Sequence, residues 1–368
     1  MSMSENPEDL SKANLGELRI TLLRDFWIKV TMALTDTIGA KSALDVLTPY
    51  FIHHAKYVES LIQSSQIKFS TLEEIFAEFA GANQMVNRTK VSGELREKGV
   101  LYKAIDCATR GASSVACICS CRLASEPVLE DFNSDYRIMM NQSLSEGDPF
   151  CSWTIAKKER LYTTDLGGKL ADLEPPSVDK SAAEEVVPQI LGEFWSISTR
   201  AFIEAIGPER TREILTERQR TFGGESAANI LALSGSEGET FLGTGRTAVL
   251  MNEIFQIKGD DISIGQNRIE REISECPLSG SPVEVCYQYE AFLNGMLRKI
   301  EPDCELKYDR MMTKGDGACH WVIRKNLVTK DEERHEDPLR ILAIRLAKGE
   351  ISDDEFEKKK ALLMGAGF

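Results

Sequence analysis

Nowhere does the chain carry an apolar run long enough to cross a bilayer, which takes roughly 20 residues, and its opening Met-Ser-Met-Ser-Glu-Asn-Pro-Glu-Asp lacks the charged-then-apolar pattern of a secretion signal. The expectation is a cytoplasmic protein. Positive charge is also short: 44 Lys and Arg face 58 Asp and Glu, a net charge of −14. Such a surface repels phosphate backbones and anionic lipid. No basic patch offsets it, since Lys358-Lys359-Lys360 is short and flanked by acids. Nucleic acid and membrane surfaces are therefore not expected partners. Nine cysteines without a secretion signal imply reduced thiols, serving as core residues, metal ligands or reactive groups. A composition of 42% hydrophobic and 28% charged residues over 368 positions is that of a globular protein of two or three domains.

What is present is a stretch that occurs twice. Gly147-Asp148-Pro149-Phe150-Cys151-Ser152-Trp153 and Gly315-Asp316-Gly317-Ala318-Cys319-His320-Trp321 lie 168 positions apart, 315 against 147. The same offset carries Phe26, Trp27, Gly39 and Leu47 onto Phe194, Trp195, Gly207 and Leu215, and it sorts all four tryptophans into two pairs. A constant offset over most of each half implies a duplicated domain.

Leu15, Leu18, Leu22, Phe26 and Val30 recur at helical spacing and predict a helix stopped by Gly39. A second helix is expected over 41–62, with Pro49 kinking it, and a third opens at a capping box of Ser70 and Glu73. Strands are expected at 100–105, 135–143 and 151–157, the period of two placing Cys151, Trp153 and Ile155 on one inward face. The second half predicts helices near 186–206 and 209–220, a strand at 267–275, a helix capped by Ser281 and Glu284, and a hairpin through 305–325. Gly243-Thr244-Gly245-Arg246-Thr247-Ala248 matches a dinucleotide fingerprint on paper, but no buried strand precedes it, and a loop is expected there. The fold class is α+β: two tandem repeats of helices packed on a small antiparallel sheet, plus a C-terminal helical hairpin. Expected boundaries are a disordered 1–14, repeats at 15–165 and 185–328, exposed linkers at 166–184 and 329–336, and the hairpin at 337–368. The hairpin's stripes, Leu339, Leu342 and Leu346 with Phe356, Leu362 and Leu363, exceed what so small an interior covers. A homo-oligomer through the hairpin is the expectation.

Cys107 and Cys117 are ten apart, as are Cys276 and Cys286, so with Cys151 and Cys319 each half holds three cysteines in matching order. Cysteine is among the most buried residue types, and inert packing stands beside ligation and reactivity as an explanation. Cys117-Ile118-Cys119-Ser120-Cys121 on one helix points its thiols apart and reads as structural. His53 and His54 meet Thr221 and Phe222 at the repeat-related positions, and His320 faces away from Cys319 on its strand.

Glu275-Cys276-Pro277, Cys286 opening a helix, and Gly315-Asp316-x-x-Cys319-x-Trp321 resemble the L-2-amino-thiazoline-4-carboxylic acid hydrolase family and are similar to the broader 4-vinyl reductase-like ligand-binding domains, over most of 185–328. The first half is similar more loosely, through Cys107, Cys117 and Gly147-Asp148-x-x-Cys151, without a proline after its first cysteine. The tail from Asp337 to Lys359 resembles the SHOCT short C-terminal domain. The resemblance implies a small-molecule-binding protein with a cysteine-lined or cysteine-braced pocket in each repeat. It also raises zinc, with Cys117 and Cys151, or Cys286 and Cys319, as ligands. The strand positions that would complete the set are Met140 and Ser143, or Tyr308 and Met311, which are poor substitutes. The alternative is a hydrolase opening a cyclic amidine, with Cys276, Cys286, Cys319 and Asp316 as candidate catalytic residues; a third reading is an assembly scaffold acting through the hairpin. A helix dipole would lower the Cys286 pKa, while Glu284 and Glu290 would raise it.

Overall fold

The computed structural model describes residues 7–63, 71–87, 89–107, 114–123, 129, 133–160, 166–175, 180–234, 241–325, 352 and 355–360. The apolar spacing of the first segment forms α1 (Pro7–Ile38), so that 7–14, expected to be disordered, is helical. Gly39 ends it with φ of +83°, a conformation only glycine adopts without strain. Helix α2 (Ala40–Gln63) runs through Pro49. Helix α3 (Leu72–Asn87) follows a capping box one residue later than expected: the Thr71 hydroxyl accepts the Glu74 N–H at 3.2 Å and the Glu74 carboxylate accepts the Thr71 N–H at 3.0 Å.

Strands β1 (Lys90–Arg96), β2 (Gly99–Asp106), β3 (Tyr136–Gln142), β4 (Cys151–Lys157) and β5 (Lys169–Leu173) make the first sheet, ordered β3-β4-β2-β1-β5 with every pair antiparallel. Between β2 and β3, α4 (Ser114–Cys117) passes into a π-helical turn, Ile118–Leu123. Strand β5 falls within the stretch expected as a linker. It is exposed, but it is bonded along the edge of β1.

The second half has α5 (Lys180–Ile206), α6 (Pro208–Ser234), α7 (Phe241–Ile254), β6 (Lys258–Ile264), β7 (Arg268–Glu275), α8 (Val283–Ile300), β8 (Cys304–Arg310) and β9 (Cys319–Lys325). Its sheet is ordered β8-β9-β7-β6, the order of the first four strands of the other sheet. Tyr102 opposes Trp153 in one sheet and Arg271 opposes Trp321 in the other, and a bulge recurs between Met140 and Gln142 and between Tyr308 and Arg310. Among the described residues the protein is thus α+β, with one antiparallel sheet arrangement built twice. The Gly243–Ala248 segment lies in α7 and is largely buried, correcting the expected loop. Helix α8 has Pro282 at its N-cap with no side-chain cap bond, correcting the Ser281 and Glu284 box.

The halves are joined by a shared core. Phe26 stacks on Trp195 with ring centroids 4.4 Å apart, and Trp27 meets Phe194 at 5.2 Å. Each partner is the repeat-related copy of the other's neighbour, the reciprocal pattern of a two-fold interface. One hydrophobic cluster runs through α1, α2 and α4 of the first half and all the helices of the second. A smaller cluster lies between α3 and the first sheet. Helices α6 and α8 approach at backbone distance, since a Cβ added at Gly223 would lie 1.9 Å from the Phe292 carbonyl oxygen and one at Gly295 1.9 Å from that of Arg220. No helix among the described residues is long and apolar enough to cross a membrane.

Candidate functional site

The repeated motif is a turn with its own bracing. A 3-10 turn precedes each glycine, Leu144–Glu146 before Gly147 and Met312–Lys314 before Gly315, and the glycines sit at φ of +95° and +94°. The Asp148 carboxylate accepts the Ser143 N–H at 2.8 Å, and the Asp316 carboxylate accepts that of Met311 at 2.7 Å. The Cys151 sulfur accepts the Leu144 N–H at 3.1 Å, and the Cys319 sulfur accepts the Met312 N–H at 3.1 Å. Both the aspartate and the cysteine of the motif therefore hold otherwise unpaired backbone donors of a tight turn. Asp316, a candidate catalytic residue from the sequence, is engaged in this role.

In the second half Cys276, Cys286 and Cys319 lie within reach of one another's charge. Burial pushes Cys276 up to about 12 and Cys286 up to about 11, against a hydrogen bond from the Thr313 hydroxyl to the Cys286 sulfur at 3.2 Å. Burial also raises Cys319. Cys286 does sit in the first turn of α8, and burial nevertheless leaves its thiol raised. Glu290, one turn along, is pushed up to about 7 by burial although its carboxylate accepts the Tyr308 N–H. With Asn294, which bonds both the N–H and the C=O of Leu306 at 2.8 Å, it satisfies the backbone of the edge strand β8.

The first half differs at the same place. Cys121 stands 169 positions before Glu290, Ser143 stands 168 before Met311 and Ser145 168 before Thr313. The Ser143 hydroxyl lies 3.5 Å from the Cys117 sulfur, and Cys121 and Cys151 are close enough to act on its charge. These neighbours, Cys121 first, then Cys151, hold Cys117 well below the usual thiol range, while Cys117 and burial push Cys151 up. Cys119 points into the other core, where burial raises it to about 12. The cysteines of the C-x-C-x-C run thus diverge only in part, because Cys117 and Cys121, four residues apart, share one side of the helical segment. Cys107 packs beside the smaller cluster that holds Cys121 and Cys151.

Among the described residues no three His, Cys, Asp or Glu side chains are placed to hold a metal ion. Of the sulfurs that the resemblance nominates, Cys151 and Cys319 are engaged by backbone N–H groups, and the flanking strand positions offer a hydroxyl at Ser143 and a thioether at Met311. That donor set does not fit zinc.

A cavity lined by none of these cysteines lies at the junction of the two halves. A cleft of about 400 Å³ opens between α1, α2 and α5, closed by Phe255 and Gln256 after α7 and by Pro277, Leu278 and Ser281 before α8. Leu23, Ile190, Ile197 and Phe255 give it apolar walls, and Arg19, Tyr50, His53, His54 and Glu193 supply polar groups. Arg19 bonds the carbonyls of Ile254 and Glu253, tying α1 to the end of α7. The Tyr50 hydroxyl donates to Glu204 at 2.8 Å. His54 is buried edge-on to Phe194, and desolvation lowers it to about 4, so it is neutral near pH 7. Gln256 holds φ of +56°, uncommon for a residue with a side chain. A shallower groove shares Gln256 and Pro277 with the cleft and reaches Cys276, the one candidate site residue that lines either cavity. The histidine pair without repeat-related counterparts was the signal in the sequence for this cleft.

Residues 337–364 match the family model of the short C-terminal domain, SHOCT. Within the SHOCT segment Ser352 and Glu355 form a capping box, the Ser352 hydroxyl accepting the Glu355 N–H at 3.3 Å and the Glu355 carboxylate accepting the Ser352 N–H at 3.4 Å, ahead of a helix over 355–360. The first helix of the expected SHOCT hairpin lies outside the described residues. No curated protein and no solved structure matches the chain, so the hydrolase-like resemblance of the repeats gains no support there.

Proposed function

We propose that this chain is a small-molecule-binding protein whose ligand occupies the cleft at the seam of its two repeats. The supporting observation is the cleft: about 400 Å³, within the ~300–1,000 Å³ range of ligand pockets, with apolar walls and a few convergent polar groups. Both repeats contribute walls, so this reading has one site per molecule in place of one in each repeat. The cysteines then act as braces of the two hairpins. Less supports the hydrolase reading, because Cys276 and Cys286, held at about 12 and 11, are protonated near neutral pH and Asp316 is engaged in its turn.

Gly192 lines the cleft, and a Cβ added there meets nothing within 4 Å. Gly192→Phe therefore fills the cavity without a backbone clash. Titration with 1-anilinonaphthalene-8-sulfonate, an apolar probe with one anionic group, is expected to saturate at one equivalent in the native chain and to lose that binding in Gly192→Phe at unchanged melting temperature. Two equivalents, or binding indifferent to the substitution, would defeat the reading. As a second role we propose self-association through the tail, argued from its apolar stripes Leu339, Leu342 and Leu346 with Phe356, Leu362 and Leu363. Light scattering should then give a larger mass for the full chain than for one ending at Lys330 by more than the missing segment.

A further inference from the structure

The two sheets share the order of four strands, but a fifth strand closes the edge of only one of them. In the first repeat β5 pairs along the outer edge of β1 from Gly93 to Arg96. Strand β6 takes the place of β1 in the second repeat, and among the described residues it has β7 on one side and no strand on the other. We propose that this open edge pairs with the same edge of a second copy of the chain, β6 against β6 about a two-fold axis, so that two four-stranded sheets become one of eight.

The strand pairing shows what β5 covers. Two positions along β2 from Tyr102, which opposes Trp153, Val100 pairs with Leu95; two positions along β7 from Arg271, which opposes Trp321, Ile269 pairs with Ile264. Leu95 is half-buried, opposite Ala171 of β5 and packed, like Leu173, beside the smaller core. Ile264, in the same place, is 60% exposed, and Ile262 is 56% exposed. An open edge with apolar side chains invites another strand, and proteins ordinarily blunt such edges with charges or bulges. Here Lys258, Asp260, Asp261 and a bulge between Asp261 and Ser263 blunt one end of β6 and leave the other bare.

The tail is ill suited to supply the missing strand. The residues 168 positions after β5, 337–341, fall in the SHOCT match and include Pro338, which has no N–H to give a ladder. A second β6 is better matched. Ile262-Ser263-Ile264 reads the same in both directions, so antiparallel pairing centred on Ser263 sets Ile262 opposite Ile264 of the second copy and repeats that pair across the axis. The same register sets Asp261 opposite Gly265 and Asp260 opposite Gln266. It parts the two copies of Asp261 by ~14 Å of strand, beyond the screening length of ~8 Å at physiological salt. Centring on Asp260 or Asp261 would bring like charges face to face. So short a contact between chains of net charge −14 belongs with weak interfaces, those burying less than ~1,200 Å².

The test is sedimentation equilibrium on the full chain under reducing conditions, from about 10 µM to about 1 mM. The mass is expected to climb from one chain towards two, and a variant carrying Ile262→Lys and Ile264→Lys should need at least about tenfold more protein to reach the same mass. Ser263→Cys lies on the axis and should give a disulfide-linked dimer with oxidised glutathione, above the background of the native chain. Asp260→Cys, ~20 Å from its copy in this register, should not. A single-chain mass throughout the series overturns the proposal. So does a dimer indifferent to the two lysines, which is one held by the tail, and so does cross-linking no greater at 263 than at 260. The cross-linking comparison stands even if the lysine variant fails to fold.

Discussion

The two repeats share a strand order and differ in what holds their equivalent residues. Trp195 donates its indole N–H to Gln288 at 2.8 Å, and Gln288 donates onward to Thr199 at 3.1 Å. In the first repeat Cys119 stands 169 positions before Gln288, and the equally buried Trp27 nitrogen has no hydrogen-bond partner among the described residues. Thr31 and Thr199 still make the same bond, each hydroxyl donating to the carbonyl of its tryptophan at 3.0 and 2.9 Å. A duplicated scaffold has thus kept its backbone contacts and let its side-chain network diverge. The second repeat links Trp195, Gln288 and Thr199 and carries a long helix over its sheet; the first carries a short helix and several buried cysteines.

The largest expected effect falls on the close contact found in the second repeat. Gly295→Ala forces a Cβ into the Arg220 carbonyl, and the helices must separate along their length. The cost should lie at or above the top of the ~1–3 kcal/mol range for overpacking, read by urea denaturation. A loss below about 0.5 kcal/mol would mean that α6 and α8 are not packed backbone to backbone.

Next in size is the tryptophan pair. Trp195→Phe leaves the buried Gln288 oxygen without its donor and should cost ~1–3 kcal/mol more than Trp27→Phe, whose nitrogen has no partner to strand. Equal losses in the two variants would erase the asymmetry described above.

Smaller effects concern pH, and the two repeats oppose one another. His54 is lowered from 6.5 to about 4 by burial and by His53, so the unfolded chain binds its proton first. The stability it contributes is present above pH 6.5 and lost as pH falls towards 4. Phe222 stands at the repeat-related position. His54→Phe is expected to flatten the acid limb of stability against pH; an unchanged limb would assign it to other groups. Glu290 works in the reverse sense. Raised from 4.5 to about 7 chiefly by burial, with Lys314, Glu305 and Lys307 facing it, it contributes most below pH 4.5 and loses that contribution as pH rises through about 7. Glu290→Gln keeps an acceptor for the Tyr308 N–H, so it should gain stability at pH 8 relative to pH 5 when both are measured by denaturation. A gain equal at the two pH values would show that the carboxyl is not titrating in that window.

Much of this architecture was legible because duplication repeats its physics. Gly39 and Gly207 both end helices with positive φ. Cys151, Trp153 and Ile155 are buried in β4, but so are Ser152, Thr154 and Ala156, so the strand is covered on both faces rather than on the one that the period of two implies. Elements whose formation depends on distant neighbours were not legible. Helix α7 has Gly243, Gly245, Thr244 and Thr247, all poor helix formers, and holds because that face is buried with Gly245 under Ile269. Strand β5 exists because the edge of β1 offers it hydrogen bonds, which no local pattern announces. The Gly-Asp-x-x-Cys motif was visible as a motif, but the bracing of two backbone N–H groups in each copy requires the turn to be folded.

By itself the sequence determined the duplication, the α+β class, the capped SHOCT helix and the pairing of the cysteines in order, because local periodicity and a constant offset are properties of the chain. Only the tertiary structure decided that the halves share one core through Phe26, Trp27, Phe194 and Trp195, and that the cleft lies at their seam. Those outcomes depend on which surfaces meet across more than a hundred residues of chain. Contact, desolvation and hydrogen bonding at such distances are set by packing, which no local run of residues encodes.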